Sequence, residues 1–413
     1  MSKSLKSVQE VAAWRLCLGC GACVAVCPER ALTLIDVEEE GLRPRVDPNK
    51  CAHCSECLKV CPGISVEGSL NQSAGGIREL YAEWGTVLEI WEGYAADPEI
   101  RFHGSSGGVA TALALYCLEK GQMSGVLHIG PGESDPLRNV AVVSHNRAEL
   151  LARTGSRYGP AAPCSELGRL ETPGTPHVFV GKPCDVVAVR KWQALNGESC
   201  ERMGVAISIF CAGTPSTRGT KRILEELSVR PDQVAQLRYR GCGWPGRTVV
   251  RTNGEEPGER SMSYEESWGT ILCKHTQFRC RLCPDSTGQL ADISCGDPWY
   301  RQIEPDDPGR SLVLVRTAVG SKILHEAMQA GYVQLQPAAP DTLPRSQRSL
   351  LLRRRHLWGR LLALRMFGVP VPQYRGFPLL ANWRSLSLAD KLRSVLGTAR
   401  RTWTRHWNKP IGD

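Results

Sequence analysis

The chain has no apolar run approaching the roughly 20 residues that span a bilayer; "LLALRMFGVPV" (Leu361 to Val371) is short and broken by Arg365. Met1 to Leu16 likewise lacks the unbroken apolar stretch of a signal peptide. A soluble or at most peripheral cytoplasmic protein is therefore expected. Carboxylates are scarce at one end: from Pro344 to Asp413, fifteen Lys and Arg face only Asp390 and Asp413, giving +13 there against −4 for all that precedes. Familiar nucleotide signatures are missing too. "GTPSTRGTK" lacks P-loop spacing, and "GCGWPG" (Gly241 to Gly246) is followed by strand-like "RTVVRT", with Pro245 opposing helix entry, so it lacks the context of a dinucleotide fingerprint. No C-x3-C-x2-C triplet suggests radical chemistry.

Cysteine, by contrast, is abundant, with 18 in 413 residues. So long a chain without a secretory start is a poor disulfide scaffold, so reduced or metal-bound thiols are expected. "CLGCGACVAVCP" supplies Cys17, Cys20, Cys23 and Cys27, and "CAHCSECLKVCP" supplies Cys51, Cys54, Cys57 and Cys61. Both read C-x2-C-x2-C-x3-C-P, the bacterial ferredoxin run in which the fourth cysteine of each run ligates the other cluster. One 4Fe-4S cluster thus takes Cys17, Cys20, Cys23 and Cys61, and a second takes Cys51, Cys54, Cys57 and Cys27. Zinc is the alternative ligand-bound ion, but zinc sites generally use two spaced pairs.

Beyond Pro62, "GISVEGSLNQSAGG" reads as a linker without periodicity. Strand, loop and helix then repeat: "HVFV" (His177 to Val180), "GKPC" and "DVVAVRKW" with Asp185 as N-cap; "VAISIF" (Val205 to Phe210), "CAGTP" and a helix from about Ser216 to Leu227. This grammar implies an α/β domain with a partly parallel sheet. Its ligand edge lies at the carboxyl ends of the strands, and Cys184 and Cys211 both fall in loops there. Cys280 and Cys283 form a further C-x-x-C in a Pro/Asp/Ser/Gly-rich loop and read as metal ligands, whereas Cys184 and Cys211 read equally as ligands or as small buried hydrophobes. The other cysteines, Cys117, Cys164, Cys200, Cys242, Cys273 and Cys295, fit no spacing pattern. In "FHGSSGGVATALALYCLEKG" a helix begins near Gly108 behind a Ser/Gly loop, a place where backbone N–H groups approach a phosphate, or simply a capped helix start.

The segments "GSSGGVATALALYCLEKG", "GSRYGPAAP", "VGKPCDVVAVRK", "IFCAGTPS", "YRGCGWPG" and "CRLCPDSTGQLADISCGDPW", in that order, resemble the beta subunits of coenzyme F420 hydrogenases and dehydrogenases and their flavin-dependent relatives, which include divinyl chlorophyllide and hydroxymethyl chlorophyll reductases. The resemblance runs from about Tyr94 to Tyr300. It implies FAD, held near Ser105, Ser106, Gly107 and Gly108, with Arg157, Tyr158 and Lys182 close to its ring or diphosphate, and a third 4Fe-4S cluster on Cys184, Cys211, Cys280 and Cys283. Cys242 replaces an expected Asn, and Cys295 adds a thiol beside the expected Gly-Asp pair. Substrate identity does not transfer, since members act on deazaflavin or tetrapyrrole. Asp285, Lys182 and His103 are unranked proton-donor candidates, and no catalytic residue is assigned.

The expected architecture is α+β and α/β multidomain: a bacterial ferredoxin-like two-cluster domain (1–70), a linker (71–90), a beta-subunit N-terminal flavin-binding region (91–175), a C-terminal α/β region with the third cluster (176–343) and a basic helical extension (344–413). In that extension "LADKLRSVLGTARRTWTRHW" reads as an amphipathic cationic helix that either packs on its own domain or meets an anionic membrane or an acidic partner. No nucleic-acid motif accompanies the charge. The leading expectation is a FAD-dependent iron–sulfur oxidoreductase acting on a small molecule such as a deazaflavin coenzyme. The alternatives are an electron-transfer subunit of a hydrogenase- or dehydrogenase-type complex and an iron–sulfur redox sensor. Expected partners are a ferredoxin or catalytic subunit, with a homo-oligomer left open.

Overall fold

A computed structural model describes residues 4–68, 75–170, 175–197, 203–253 and 257–412. At the start of the chain β1 (Leu32–Val37) and β2 (Gly41–Val46) pair antiparallel, and two short helices, Ala22–Ala25 and Glu56–Lys59, lie within the cysteine runs and carry Cys23 and Cys57. The proposed linker "GISVEGSLNQSAGG" contains β3 (Ser65–Glu67); its residues 69–74 lie outside the described residues, as does Cys200. The stretch read as linker beyond it carries a short helix, Tyr81–Trp84, whose Leu80 and Trp84 flanks are buried.

The main sheet is built from β4 (Glu89–Ala95), β5 (Val126–Pro131), β6 (Asn139–Ser144), β7 (His177–Gly181) and β8 (Met203–Ile209). After β9 (Val234–Arg238), β10 (Arg247–Thr252) and β11 (Gly258–Ser263), which form a separate antiparallel sheet, β12 (Ile293–Gly296), β13 (Ser311–Val315) and β14 (Val333–Pro337) complete it. The eight strands run β14-β4-β13-β12-β8-β7-β5-β6, with β12, β8, β7 and β5 mutually parallel and the outer strands antiparallel. All five residues of β13 are buried, which explains why such strands read as continuous apolar runs rather than alternating ones. The sheet is mixed α/β, as the strand, loop and helix grammar implied.

The helix after β7 begins earlier than the sequence suggested. It spans Pro183–Asn196 with Lys182 as N-cap, so Asp185 is not the cap but the third helical residue, and its carboxylate accepts from the Lys182 backbone N–H at 3.1 Å. Proline at the first helical position explains the shift, since its fixed φ suits a helix start and its missing N–H costs nothing there. Cys184 consequently sits in the first helical turn instead of a loop.

The basic tail packs on the body. Leu357, Leu361 and Leu364 of the Leu357–Met366 helix share a core with Val11, Trp14 and Leu16 and with Phe278 and Leu282, and β15 (Gln373–Arg375) pairs parallel with β3. The Leu388–Thr404 helix is amphipathic but turned unexpectedly: Ser394, Thr398 and Thr402 are buried, whereas Leu388, Leu392, Leu396 and Trp403 are at least half exposed. Close approach dictates this choice. A Cβ added at Gly359 would stand 2.1 Å from Ser394 Oγ, so the neighbouring helix admits only small side chains on this face. Among the described residues no helix is long and apolar enough to cross a membrane.

Candidate redox site

Cys17, Cys20, Cys23 and Cys61 line one small cavity together with Leu18, Gly19 and Pro62. Cys57 lies in the electrostatic range of Cys54, Cys27 and Cys51. Backbone N–H groups aim at sulfur: Gly19 at Cys17 Sγ (3.3 Å) and Ala31 at Cys27 Sγ (3.2 Å). Burial first, and then Cys17 and Cys20, push the Cys61 thiol up to about 12. A bound metal reverses that balance by taking thiolates as ligands, and the sulfur-directed N–H groups favour the charged form. Among the described residues no three Cys, His, Asp or Glu side chains close around a single metal ion.

Cys184, Cys211, Cys280 and Cys283 come from three separate segments and line one further cavity. Cys184 arrives on the first turn after β7, Cys211 on the loop after the neighbouring parallel strand β8, and the remaining pair on a one-turn helix, Phe278–Leu282, and its exit. Thr214 N–H points at Cys280 Sγ (3.3 Å). Desolvation, aided by neighbouring thiols, raises Cys211 to about 12; burial likewise lifts Cys283 to about 11, against a downward pull from the Arg279 guanidinium. Arg279 is buried and donates to the Leu282 carbonyl at 3.0 Å and the Pro62 carbonyl at 3.1 Å, tying this quartet to the Cys61 loop. Four converging thiols beside a cation fit a cubic cluster with four thiolate ligands. Cys295 and Cys242 do not line this cavity: Cys295 is buried in β12, and Cys242 is exposed with Sγ 3.6 Å from His103 Nδ1. Cys164 is buried against Cys20, Cys117 lies in the Val109–Glu119 helix, and Cys273 donates to the Gly269 carbonyl at 3.0 Å.

A third cavity, of about 270 Å³, opens at the carboxyl ends of the parallel strands. Ser105, Ser106, Gly108, Arg157, Tyr158 and Lys182 line it; Gly107 does not. Gly107 instead packs on the sheet, its N–H donated to Ser311 Oγ at 2.9 Å, with backbone atoms where a Cβ would stand. Gly108, at φ +74, caps the Val109–Glu119 helix; a Cβ there would meet the Ile100 carbonyl at 2.6 Å. Ser105 Oγ accepts from Ser156 N–H at 2.6 Å and joins the two loops that face the cavity. Arg157 is spent largely on the protein, donating to the carbonyls of Leu237 (3.1 Å) and Pro136 (2.7 Å) and to Asn139. The Lys182 ammonium pairs with Asp185 at 2.7 Å, which keeps it charged despite burial.

The sequence reading missed the far wall. There Arg240 and Asp297 form a buried pair at 2.7 Å, Trp244 Nε1 donates to the same carboxylate at 2.8 Å, and Tyr264 and Trp299 stack 5.3 Å apart over the guanidinium. The signal for Arg240, Trp244, Asp297 and Trp299 lay in "YRGCGWPG" and "GDPWY", whose residues meet only in the fold; Tyr264 lies in neither segment. A small, glycine-rich entrance, a helix N-terminus and an aromatic wall suit a flavin dinucleotide in form and chemistry.

His128 also lines this cavity. Burial, with Arg153 nearby, lowers its pKa to about 4, and its Nε2 lies 2.8 Å from Ser144 Oγ. The folded protein thus binds this proton more weakly than the unfolded chain. Stability is unaffected above the unfolded value near 6.5 and falls as pH drops from there toward 4, by up to ~3 kcal/mol for this group. We expect His128→Gln to flatten that part of the stability–pH curve relative to the wild type, measured by urea unfolding from pH 7.5 to 4.

The three thiol-lined and cofactor-sized cavities are contiguous. Leu18 and Pro62 are shared by the first and second, and Cys211, Gly213 and Thr214 by the second and third. Such an arrangement suits an iron–sulfur electron-transport protein of the oxidoreductase class, the class that the matched family and relatives define. The chain belongs to the coenzyme F420 hydrogenase/dehydrogenase beta subunit family: residues 90–168 match its N-terminal part and 176–341 its C terminus, while 16–63 match a 4Fe-4S dicluster domain. It is 26% identical over 328 residues to a coenzyme F420-dependent sulfite reductase of Methanocaldococcus jannaschii, covering 75% of this chain but only 45% of that protein. It is 28% identical over 265 residues to coenzyme F420 hydrogenase subunit beta of Methanothermobacter thermautotrophicus, covering 61% of this chain and 85% of that one. The fold is like that of a chain in the F420-reducing NiFe hydrogenase complex of Methanosarcina barkeri, with a TM-score of 0.55 and 24% identity over 70% of this chain and 97% of that chain.

Proposed function

We propose that the chain is the electron-transfer subunit of an F420-dependent oxidoreductase complex, with FAD in the 270 Å³ cavity and a partner subunit or ferredoxin exchanging electrons at the cysteine-rich end. This replaces the self-sufficient enzyme as the preferred reading, because the relatives by name are mostly subunits of hydrogenases or dehydrogenases. The observation that carries it is the shared walls between successive cavities, which set two thiol quartets, the Cys61 set and the Cys280 set, and the flavin-sized cavity side by side.

When bound, the clusters supply one-electron exchange and FAD supplies exchange of either one or two. The residues' part is to hold, insulate and charge-balance. Cys17, Cys20, Cys23 and Cys61, then Cys27, Cys51, Cys54 and Cys57, and then Cys184, Cys211, Cys280 and Cys283 are the ligand sets. Arg43 beside Cys17 and Arg279 beside Cys283 offset thiolate charge. Ser105, Ser106 and Gly108 at the helix start receive the diphosphate, and Tyr158, Tyr264 and Trp299 shield the ring.

Iron, sulfide and flavin are to be counted on anaerobically purified chain, followed by deazaflavin reduction with and without a reduced donor. About twelve irons and one FAD per chain are expected, with turnover only when a donor protein or mediator supplies electrons. About eight irons and no flavin after reconstitution with FAD would sink the proposal and leave a two-cluster carrier.

A further inference from the structure

Behind the Cys280 loop lies a fourth cavity, of about 250 Å³, which shares Cys280 and Arg353 with the quartet cavity and whose other arginines the electron-transfer reading does not use. Arg281, Arg353, Arg360 and Arg401 line it, with Thr398 and no Asp or Glu. Among the described residues none of these four guanidiniums forms an ion pair with a carboxylate. Their internal partners are few: Arg360 donates to the Arg281 carbonyl at 2.9 Å, Arg353 to the Ala212 carbonyl, and Arg401 to Thr398 Oγ1 at 3.4 Å.

Bringing four like charges to one partly dehydrated cavity is unfavourable twice over, through lost hydration and mutual repulsion. The crowding shows in Arg360, which burial first and then Arg353, Arg401 and Arg281 pull down to about 10. A fold keeps such an arrangement at low cost only if an anion compensates it. The free N–H forks of several guanidiniums match phosphate oxygens.

The cavity is also the wrong size for a lone small ion. At about 250 Å³ it holds several times the ~30 Å³ that one water takes in the liquid. One side is apolar and aromatic, with Phe278 and Trp407 rings 4.7 Å apart. Three of the arginines and Thr398 come from the tail, beyond residue 341 where the family match ends, so the site belongs to this chain's extension.

We propose that this arginine cavity binds a multiply charged phosphate compound of at least diphosphate size, clamping the tail helices to the Cys280 loop. The test uses full-length, as-purified protein and inorganic diphosphate, with KCl balancing ionic strength. Calorimetry should give saturable binding of one diphosphate per chain, accompanied by a rise in the thermal midpoint, with inorganic phosphate bound at least tenfold more weakly. Arg401→Gln and Arg360→Gln should each weaken diphosphate at least tenfold, Arg401→Lys less, and Arg384→Gln, on an exposed site, not at all. Arg401 is on the Leu388–Thr404 helix, a different element from Arg360, so its variant stays informative if Arg360→Gln fails to fold.

Diphosphate protection no greater than that of KCl, or equal in wild type and Arg401→Gln, would overturn the proposal. So would an Arg401→Gln protein that loses iron but binds diphosphate unchanged, since the arginines would then serve only to balance the thiol quartet. Because binding is read as heat and midpoint, the result does not depend on whether the flavin assignment holds.

Discussion

Serine in place of Cys211 or Cys283 is expected to remove four of about twelve irons per chain while leaving the eight bound by the N-terminal runs. Both thiols line the same buried cavity, and both are kept protonated by burial unless a metal takes them. Serine has nearly the same shape, so loss of iron from one quartet need not unfold the rest. Two controls sharpen the result. Cys295→Ser and Cys242→Ser alter thiols outside the quartet cavity and should leave the iron count unchanged. The functional consequence should be larger than the analytical one: electron delivery from a reduced donor to flavin should fall to the level of flavin free in solution, because the quartet cavity separates the Cys61 set from the flavin-sized cavity. Stopped-flow bleaching of flavin absorbance at constant donor would measure it. Unchanged iron in Cys211→Ser and Cys283→Ser would return these cysteines to a packing role.

The ferredoxin runs were legible because their geometry is local: two-residue gaps fix the ligands whatever surrounds them. The sheet was legible in kind, since "HVFV" and "VAISIF" followed by helices dictate parallel neighbours, and β7 and β8 are parallel partners. Adjacency of Cys184 and Cys211 followed from that topology. The pairing of Arg240 with Asp297, 57 residues apart, had no such handle, because neither a period nor a spacing links a loop before β10 to the end of β12. Nor could periodicity tell which face of the Leu388–Thr404 helix is covered. It identified an apolar stripe, but contact with Gly359 selects the narrow Ser/Thr face and turns the leucines outward. The arginine cavity was hidden for the same reason: 281, 353, 360 and 401 converge only when the tail folds back.

Asp297→Ala is expected to destabilise the α/β body by about 3–5 kcal/mol, the usual cost of stranding one partner of a buried ion pair. Arg240 is almost wholly inaccessible, at 3% side-chain exposure, and gives two of its donors to Asp297, at 2.7 and 3.0 Å, and a third to the Pro245 carbonyl at 2.7 Å. Its charge cannot be shed, because the carboxylate and nearby tyrosines push its pKa further up against the desolvation that opposes them. Alanine also frees Trp244 Nε1 and opens space beside the Tyr264–Trp299 stack. Asp297→Asn should cost less, since an amide oxygen still accepts one of the bonds, and Arg240→Met combined with Asp297→Leu should recover much of the loss by removing both charges together. Urea unfolding followed by tryptophan fluorescence at equal iron content would rank the variants. Flavin retention tests the site separately: a wall whose guanidinium holds two aromatic rings in register should lose FAD in Asp297→Ala before it loses its fold, whereas full flavin content at reduced stability would make the pair a purely structural brace.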